Sequence, residues 1–397
     1  MARPSKAEQS ETKLTDLDFT ELLKDTDFKM AATGSVMHSR IKIRTPLEVL
    51  NCIYGGGLPL GIISEVSGSP GSGKSTFLYQ CMATYQKDYP KGVPVIFDME
   101  TSMDNGRLRS LGVDTEKVLR LPSTTKQSAF ANMFKILNKL EKVIETNPDI
   151  STFMIYDSLD GGGTDKQQEA AKKGESVFGA GTMMEDARII KAELKNLLPY
   201  MEKFPVFLAL INQVYTHTDR YGNSSVKAGG AMGLKHFDHC HIEFGSPKDE
   251  EDGDFIIGTS STVQLKKSKL SPKITNIQCY IDVTKGGLID EEKSFAKYLC
   301  NKSVGFVDVG TWSCFSDKLK MQLANNYPQL KDNAEFLALI AKKFRQDDLG
   351  DILRDNLNFY LLMRIALIDF LDNIYPAQRE VNSEYQEQLI KRCEYLV

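Results

Sequence analysis

The chain has 397 residues, 41% of them hydrophobic and 26% charged, and a formal net charge of −4 at pH 7. These numbers describe a globular protein with a large core and, by length, two or three domains. They exclude a membrane-spanning helix, because no run of about 18 apolar residues occurs, and a grip on nucleic acid through bulk positive charge, which leaves only local contacts.

Seven cysteines without a C-x-x-C pair suit reduced thiols in a cytosolic setting. Met1-Ala2-Arg3-Pro4 opens no apolar stretch of a secretory signal, so a cytoplasmic location is expected. Residues 1–43 are polar and charged, with Leu14, Leu17, Leu22 and Leu23 in a short apolar pattern. That pattern predicts a helix whose one apolar face docks elsewhere. From Arg44 to about Val283, apolar runs alternate with helical stretches, as in a mostly parallel α/β sheet with helices on both faces. Strands are expected at Ile62–Ser67, Val93–Asp98, Phe153–Asp157, Val206–Asn212, His239–Phe244, Ser261–Lys266 and Asn276–Val283. The last two alternate with period two and read as antiparallel. The acidic run Asp249 to Asp254 is expected as a solvated hairpin turn. Beyond Ser316 the pattern is helical, and Phe359 to Leu371, interrupted by Arg364 and Asp369, reads as a helix at a domain surface.

Three elements carry chemistry. Gly68-Ser69-Pro70-Gly71-Ser72-Gly73-Lys74-Ser75 fits G-x-x-x-x-G-K-[ST] between a strand and a helix. Its glycines let successive N–H groups face phosphate oxygens, and the helix N-terminus adds partial positive charge. Lys74 brings a full charge to the β- and γ-phosphates of ATP, Ser75 a hydroxyl for Mg2+, and Thr76 follows in the same turn. The apolar run Thr152 to Tyr156 ends in Asp157, where α/β sheets collect ligands; it is either a metal-positioning carboxylate or a cap for the next helix. Val95 to Phe97 likewise leads into Asp98-Met99-Glu100. Glu100 is equally a base that polarises an attacking water and an acid stabilised by a helix dipole.

His236, His239, Cys240 and His241 hold three of the five histidines. Zinc prefers two spaced ligand pairs. On a strand His239 and His241 share a face while Cys240 points away, which disfavours a metal site and leaves a histidine lining an ATP-side interface as the alternative.

Further segments fall in one order: Leu58-Pro59-Leu60-Gly61, Phe97-Asp98-Met99-Glu100, Leu111-Gly112-Val113-Asp114, Leu210-Ile211-Asn212-Gln213, Ala228-Gly229-Gly230-Ala231-Met232-Gly233-Leu234-Lys235 and Lys267-Ser268-Lys269. In that order and spacing they resemble the RecA recombinase family over about residues 44–315, most of all the phage recombinases of the UvsX type. The resemblance implies a RecA-like P-loop ATPase core over 44–315, an oligomerisation arm over 1–43 and a helical C-terminal region over 316–397. It implies MgATP held by Lys74, Ser75 and Asp157, water activated by Glu100, and Gln213 sensing the γ-phosphate. Asp104 falls at a contact to the adenine edge. Arg107 stands where the family often has an aromatic ring, a departure that leaves guanidinium stacking as the alternative. Lys267 and Lys269, with no intrachain partner apparent from sequence, match the pair that reaches a neighbouring subunit's ATP. The chain ends Lys391 to Val397 without the acidic tail of the bacterial type.

Two long glycine-bearing stretches follow core strands, about 160–182 and 214–235, and loops of that length are uncommon unless they function. The first carries Lys166, Lys172, Lys173 and Phe178; the second Arg220, Tyr221, Lys227, Gly229 and Gly230. Lysine and arginine neutralise phosphates, glycine permits close approach, and rings stack on bases without reading sequence. The resemblance makes them the DNA-binding loops of a protein that polymerises on single-stranded DNA as a homo-oligomeric helical filament. It would pair that strand with homologous duplex DNA and exchange strands, with a single-strand-binding protein and a loader as further partners. Two other readings stay open: a hexameric helicase on the same core, and an ATP-binding mediator that exchanges nothing.

Overall fold

A computed structural model describes residues 41–396, apart from positions 123, 145, 148, 176–184, 219–223 and 229–233. Residues 1–40 of the expected N-terminal arm lie outside the described residues, and Lys42–Ile43 at its end pairs antiparallel with Leu58–Pro59. An 11-stranded sheet contains six parallel strands that run to one edge in the order β9 (Cys240–Phe244), β3 (Ile62–Gly68), β7 (Val206–Thr218), β6 (Thr152–Asp157), β4 (Val93–Asp98) and β5 (Leu119–Leu121). All residues of β3 and β6 are buried, which is why they read as continuous apolar runs rather than alternations. Alternate side chains divide between two cores. Ile62, Ile155 and Phe207 pack with Phe77 on one face, while Ile63, Met154 and Leu208 pack with Phe130 and Leu194 on the other. The first face is covered by α2 (Lys74–Asp88), the second by α4 (Lys126–Ile144) and α6 (Glu185–Lys203).

Beyond β9 the sheet turns antiparallel through β11 (Phe255–Ser268), β12 (Ile277–Asp282) and β13 (Leu288–Ile289). The acidic run departs from expectation. Lys248–Asp252 forms strand β10, paired to β11, and only Gly253 and Asp254 turn. Glu250 receives Lys293 at 3.0 Å and Lys297 at 2.5 Å, so a helix distant in sequence offsets part of the run's negative charge. The described parts of the two long loops contain regular structure. Helix α5 (Asp165–Lys172) occupies part of the first, closed by a capping box between Thr164 and Gln167. The second begins as an extension of β7, which pairs with β8 (Ser224–Ala228) as an antiparallel ribbon.

The C-terminal region carries a three-stranded sheet, β14 (Val307–Asp308), β15 (Ser313–Phe315) and β16 (Lys343–Phe344), beside helices that include α12 (Leu357–Ile374) and α13 (Gln378–Arg392). The surface helix expected at Phe359 to Leu371 is instead buried: Leu361, Leu362, Ile365 and Leu367 are 0% exposed. Its interrupting arginine has a reason. Arg364 ion-pairs at 2.6 Å with Glu48, which is 2% exposed on α1 (Glu48–Ile53). Tyr385 donates to the same Glu48 at 3.0 Å.

Glu291, half-buried beside this group, accepts from Tyr360 at 2.7 Å. Burial, reinforced by the negative Glu48, pushes its carboxyl well above the ordinary 4.5. A folded-state value above the unfolded one means that stability is full below the unfolded value and is lost as pH rises through the folded one. Thermal stability should therefore decline between about pH 5 and pH 8, and Glu291→Gln should flatten that decline in a melting series.

Candidate functional site

Strand β3 delivers the chain to the Gly68–Ser75 loop at its carboxyl end, and α2 starts at Lys74. Gly73 sits at φ 100°, and a Cβ there would lie 2.8 Å from Ile281; a Cβ on Gly68 would lie 2.5 Å from the Phe244 carbonyl. Both positions admit only glycine. The Lys74 ammonium is folded back on its own loop, donating to the carbonyls of Gly68 at 2.9 Å and Ser69 at 2.8 Å. Burial lowers its pKa, opposed by the carboxylates of Asp157 and Glu100. The hydroxyls of Ser69 and Ser72 are buried without protein partners, while Pro70 and Gly71 form the exposed rim. This cradle, with donors unspent and a lysine at hand, fits a phosphate chain.

The acids expected from sequence converge on it. Asp157 and Asp98 are register partners at the ends of β6 and β4. Asp157 accepts from Tyr79 at 2.8 Å and from Ser75. Burial pushes its carboxyl up to about 6, helped by Glu100 and Asp98 and opposed by those two hydroxyls. A carboxylate so crowded by negative charge, next to a serine hydroxyl, fits a hard divalent cation such as Mg2+. Asp98 has another partner, Arg120 at 2.5 Å, which removes it from the metal side.

Glu100 projects from the end of β4 and is exposed. Its Oε1 accepts from the Ser158 hydroxyl, in a short hydrogen bond, and from the Gln213 amide at 3.0 Å. Ser158 opens the path to the first loop, and Gln213 stands on β7 where the second begins. One carboxylate oxygen thus touches the roots of both.

Asp104 and Arg107, named from sequence for the adenine end, lie beside the Gly68–Ser75 loop and are both committed to protein partners. Asp104 caps α3 (Asn105–Ser110) by accepting from the Arg107 N–H at 2.7 Å. The Arg107 guanidinium reaches across to the carbonyls of Gly286 at 2.5 Å and Gly287 at 3.2 Å, and to Thr76 at 3.3 Å. It divides the mouth of the site into clefts of about 290 and 250 Å3 that share Ser75, Thr76 and Arg107. A larger groove of about 1010 Å3, between the Lys42–Arg44 segment and α13, lacks this constellation.

Lys267 is paired within its own chain: its ammonium lies 2.6 Å from Asp238, which is 0% exposed. Lys269, one residue beyond β11, is exposed. Cys240 and His241 part as expected, Cys240 receiving Tyr54 at 3.3 Å and His241 meeting Ser67 at 2.7 Å. Lys172 ends α5 and Lys173 caps it, both exposed. Lys227 lies in β8 with its side chain outside the described set. Phe178, Arg220, Tyr221, Gly229 and Gly230 fall outside the described residues. Tyr79 and Ser158 were missed from sequence, although each had a signal: Tyr79 is one helical turn after Ser75, and Ser158 directly follows Asp157.

Among the described residues no helix is long and apolar enough to cross a membrane. A family model for the RecA N-terminal domain matches residues 33–287, more than half of the chain. The chain is similar to Protein RecA of Ureaplasma parvum serovar 3, at 26% identity over 326 residues, covering 81% of this chain and 87% of that one. It is similar also to Protein RecA of Acholeplasma laidlawii, at 28% over 332 residues (80% and 92%), and of Clostridioides difficile, at 26% over 294 residues (73% and 78%). On the family match and the architecture together, the chain belongs to the RecA family.

Proposed function

We propose that this protein is a DNA-dependent ATPase that assembles as a filament on single-stranded DNA and carries out homologous pairing and strand exchange. In this reading Lys74 and the Gly68–Ser75 backbone hold the triphosphate, and Ser75 and Asp157 hold Mg2+. The ion, when bound, supplies positive charge against the phosphate oxygens. Glu100 orients the attacking water and takes its proton.

The observation that carries the reading is the shared Glu100 oxygen, bonded at once to Ser158 and Gln213. A base already engaged by both loop roots answers to what those loops hold, so DNA in the loops releases or re-aims it. Removing the amide should uncouple the two without disabling the base. Gln213→Ala is expected to lose most of the stimulation of hydrolysis by single-stranded DNA while hydrolysis without DNA changes by less than about threefold. A steady-state assay with and without DNA measures both, and stimulation surviving intact would remove Gln213 from the relay.

A further inference from the structure

Lys126 is a buried cation with no place in the chemistry above. It is the first residue of α4, 1% exposed, and burial lowers its pKa. Both circumstances work against a lysine. The N-terminal turn of a helix is the unfavourable end for positive charge, and desolvation disfavours an ammonium. An apolar side chain would fill the position without either cost, so what the ammonium touches must compensate.

It touches the base of the first loop from both sides. The ammonium donates to the Gly161 carbonyl at 2.8 Å and to the Gly162 carbonyl in a short hydrogen bond, while the Lys126 N–H donates to Gly163 at 2.9 Å. Three consecutive carbonyls at the entry to the loop are thus gathered by one residue. At the exit stands Asp186, in the first turn of α6, 3.9 Å from the same ammonium and with a second carboxylate oxygen buried and unpartnered. A parallel tie joins Lys166 on α5 to Glu185 at 2.8 Å.

The gathered glycines also lie against the catalytic strand. A Cβ on Gly161 would stand 2.8 Å from the Met99 backbone, immediately before Glu100. The Gly161 N–H donates to the Ser158 carbonyl at 3.0 Å. The loop base is therefore fixed relative to the residue that would activate water.

We infer that Lys126 is a positioning residue that holds the two ends of the first loop together, joining its entry carbonyls to its exit carboxylate in support of single-stranded DNA binding. This rests on the DNA-binding role proposed above for that loop. A neutral residue there leaves the nucleotide cradle untouched but frees the two loop ends, so DNA binding carries the ordering cost.

The test compares wild type, Lys126→Met and Lys126→Arg in full-length protein. Lys126→Met is expected to raise the concentration of single-stranded DNA needed for half-maximal stimulation by about tenfold, with hydrolysis in the absence of DNA within about twofold of wild type. Lys126→Arg, which keeps charge and donors, should recover most of the loss. Amide exchange at Gly161–Thr164, measured without DNA, should quicken in Lys126→Met and stay slow in Lys126→Arg. An unchanged half-saturation, or equal losses with and without DNA, would overturn the inference. Should wild-type hydrolysis ignore DNA altogether, the proposed function fails, and the exchange measurement alone decides the loop closure: quickened exchange in Lys126→Met supports it and unchanged exchange overturns it.

Discussion

Replacing Glu100 with glutamine is expected to reduce DNA-stimulated hydrolysis by about 10²–10⁴-fold, the range of general-base catalysis, while assembly on DNA in the presence of ATP persists. The substitution is nearly isosteric. The amide oxygen can still accept from Ser158 and Gln213, the hydrogen bonds that the Glu100 side chain accepts among the described residues. What disappears is the negative charge and the capacity to take a proton. Lys74, Ser75 and Asp157 keep their arrangement, since none of them bonds Glu100. Hydrolysis and assembly measured on the same preparation separate the two roles. Equal loss of both would mean that Glu100 holds the site together rather than acting on water.

The second large effect concerns stability. Glu48→Ala should cost about 3–5 kcal/mol, the usual consequence of leaving one member of a buried ion pair without its partner. Arg364 would remain among apolar side chains of α12, with Tyr385 as a neutral neighbour. Because Glu48 lies on α1 and Arg364 on α12, the loss is felt where the C-terminal helices meet the first helix of the core. Denaturant unfolding of Glu48→Ala beside Glu48→Ala/Arg364→Met tests this account. The double variant, which removes the guanidinium left unpaired and leaves Glu291 hydrogen-bonded to Tyr360, should recover much of the loss. A single-variant cost below about 1 kcal/mol would show that the pair contributes little.

How much of this was legible in the sequence follows from how local each signal is. The Gly68–Ser75 loop and the strand ends bearing Asp157 and Glu100 were readable because glycine placement, apolar runs and a terminal acid are properties of neighbouring residues. The fold class followed from the alternation of strands and helices. Partnerships set by tertiary packing were not readable. The acidic run pairs with β11 as a strand, and Lys293 and Lys297 of α8 (Glu291–Leu299), distant in sequence, offset its charge at Glu250. Arg364 looked like a surface interruption because its partner Glu48 lies at the other end of the chain. Arg107 reads from sequence only as a departure from the family's aromatic ring, with stacking left open, because the carbonyls its guanidinium spans to lie 179 and 180 residues away. Lys267 lacks a partner in sequence because Asp238 becomes a neighbour only when β11 lies beside β9.

The central claim is assembly on single-stranded DNA governed by ATP, and electron microscopy of the full chain with ATP, Mg2+ and single-stranded DNA tests it most directly. Extended helical filaments that require both nucleotide and DNA are the expected result; closed rings, or particles that do not assemble under those conditions, would contradict it.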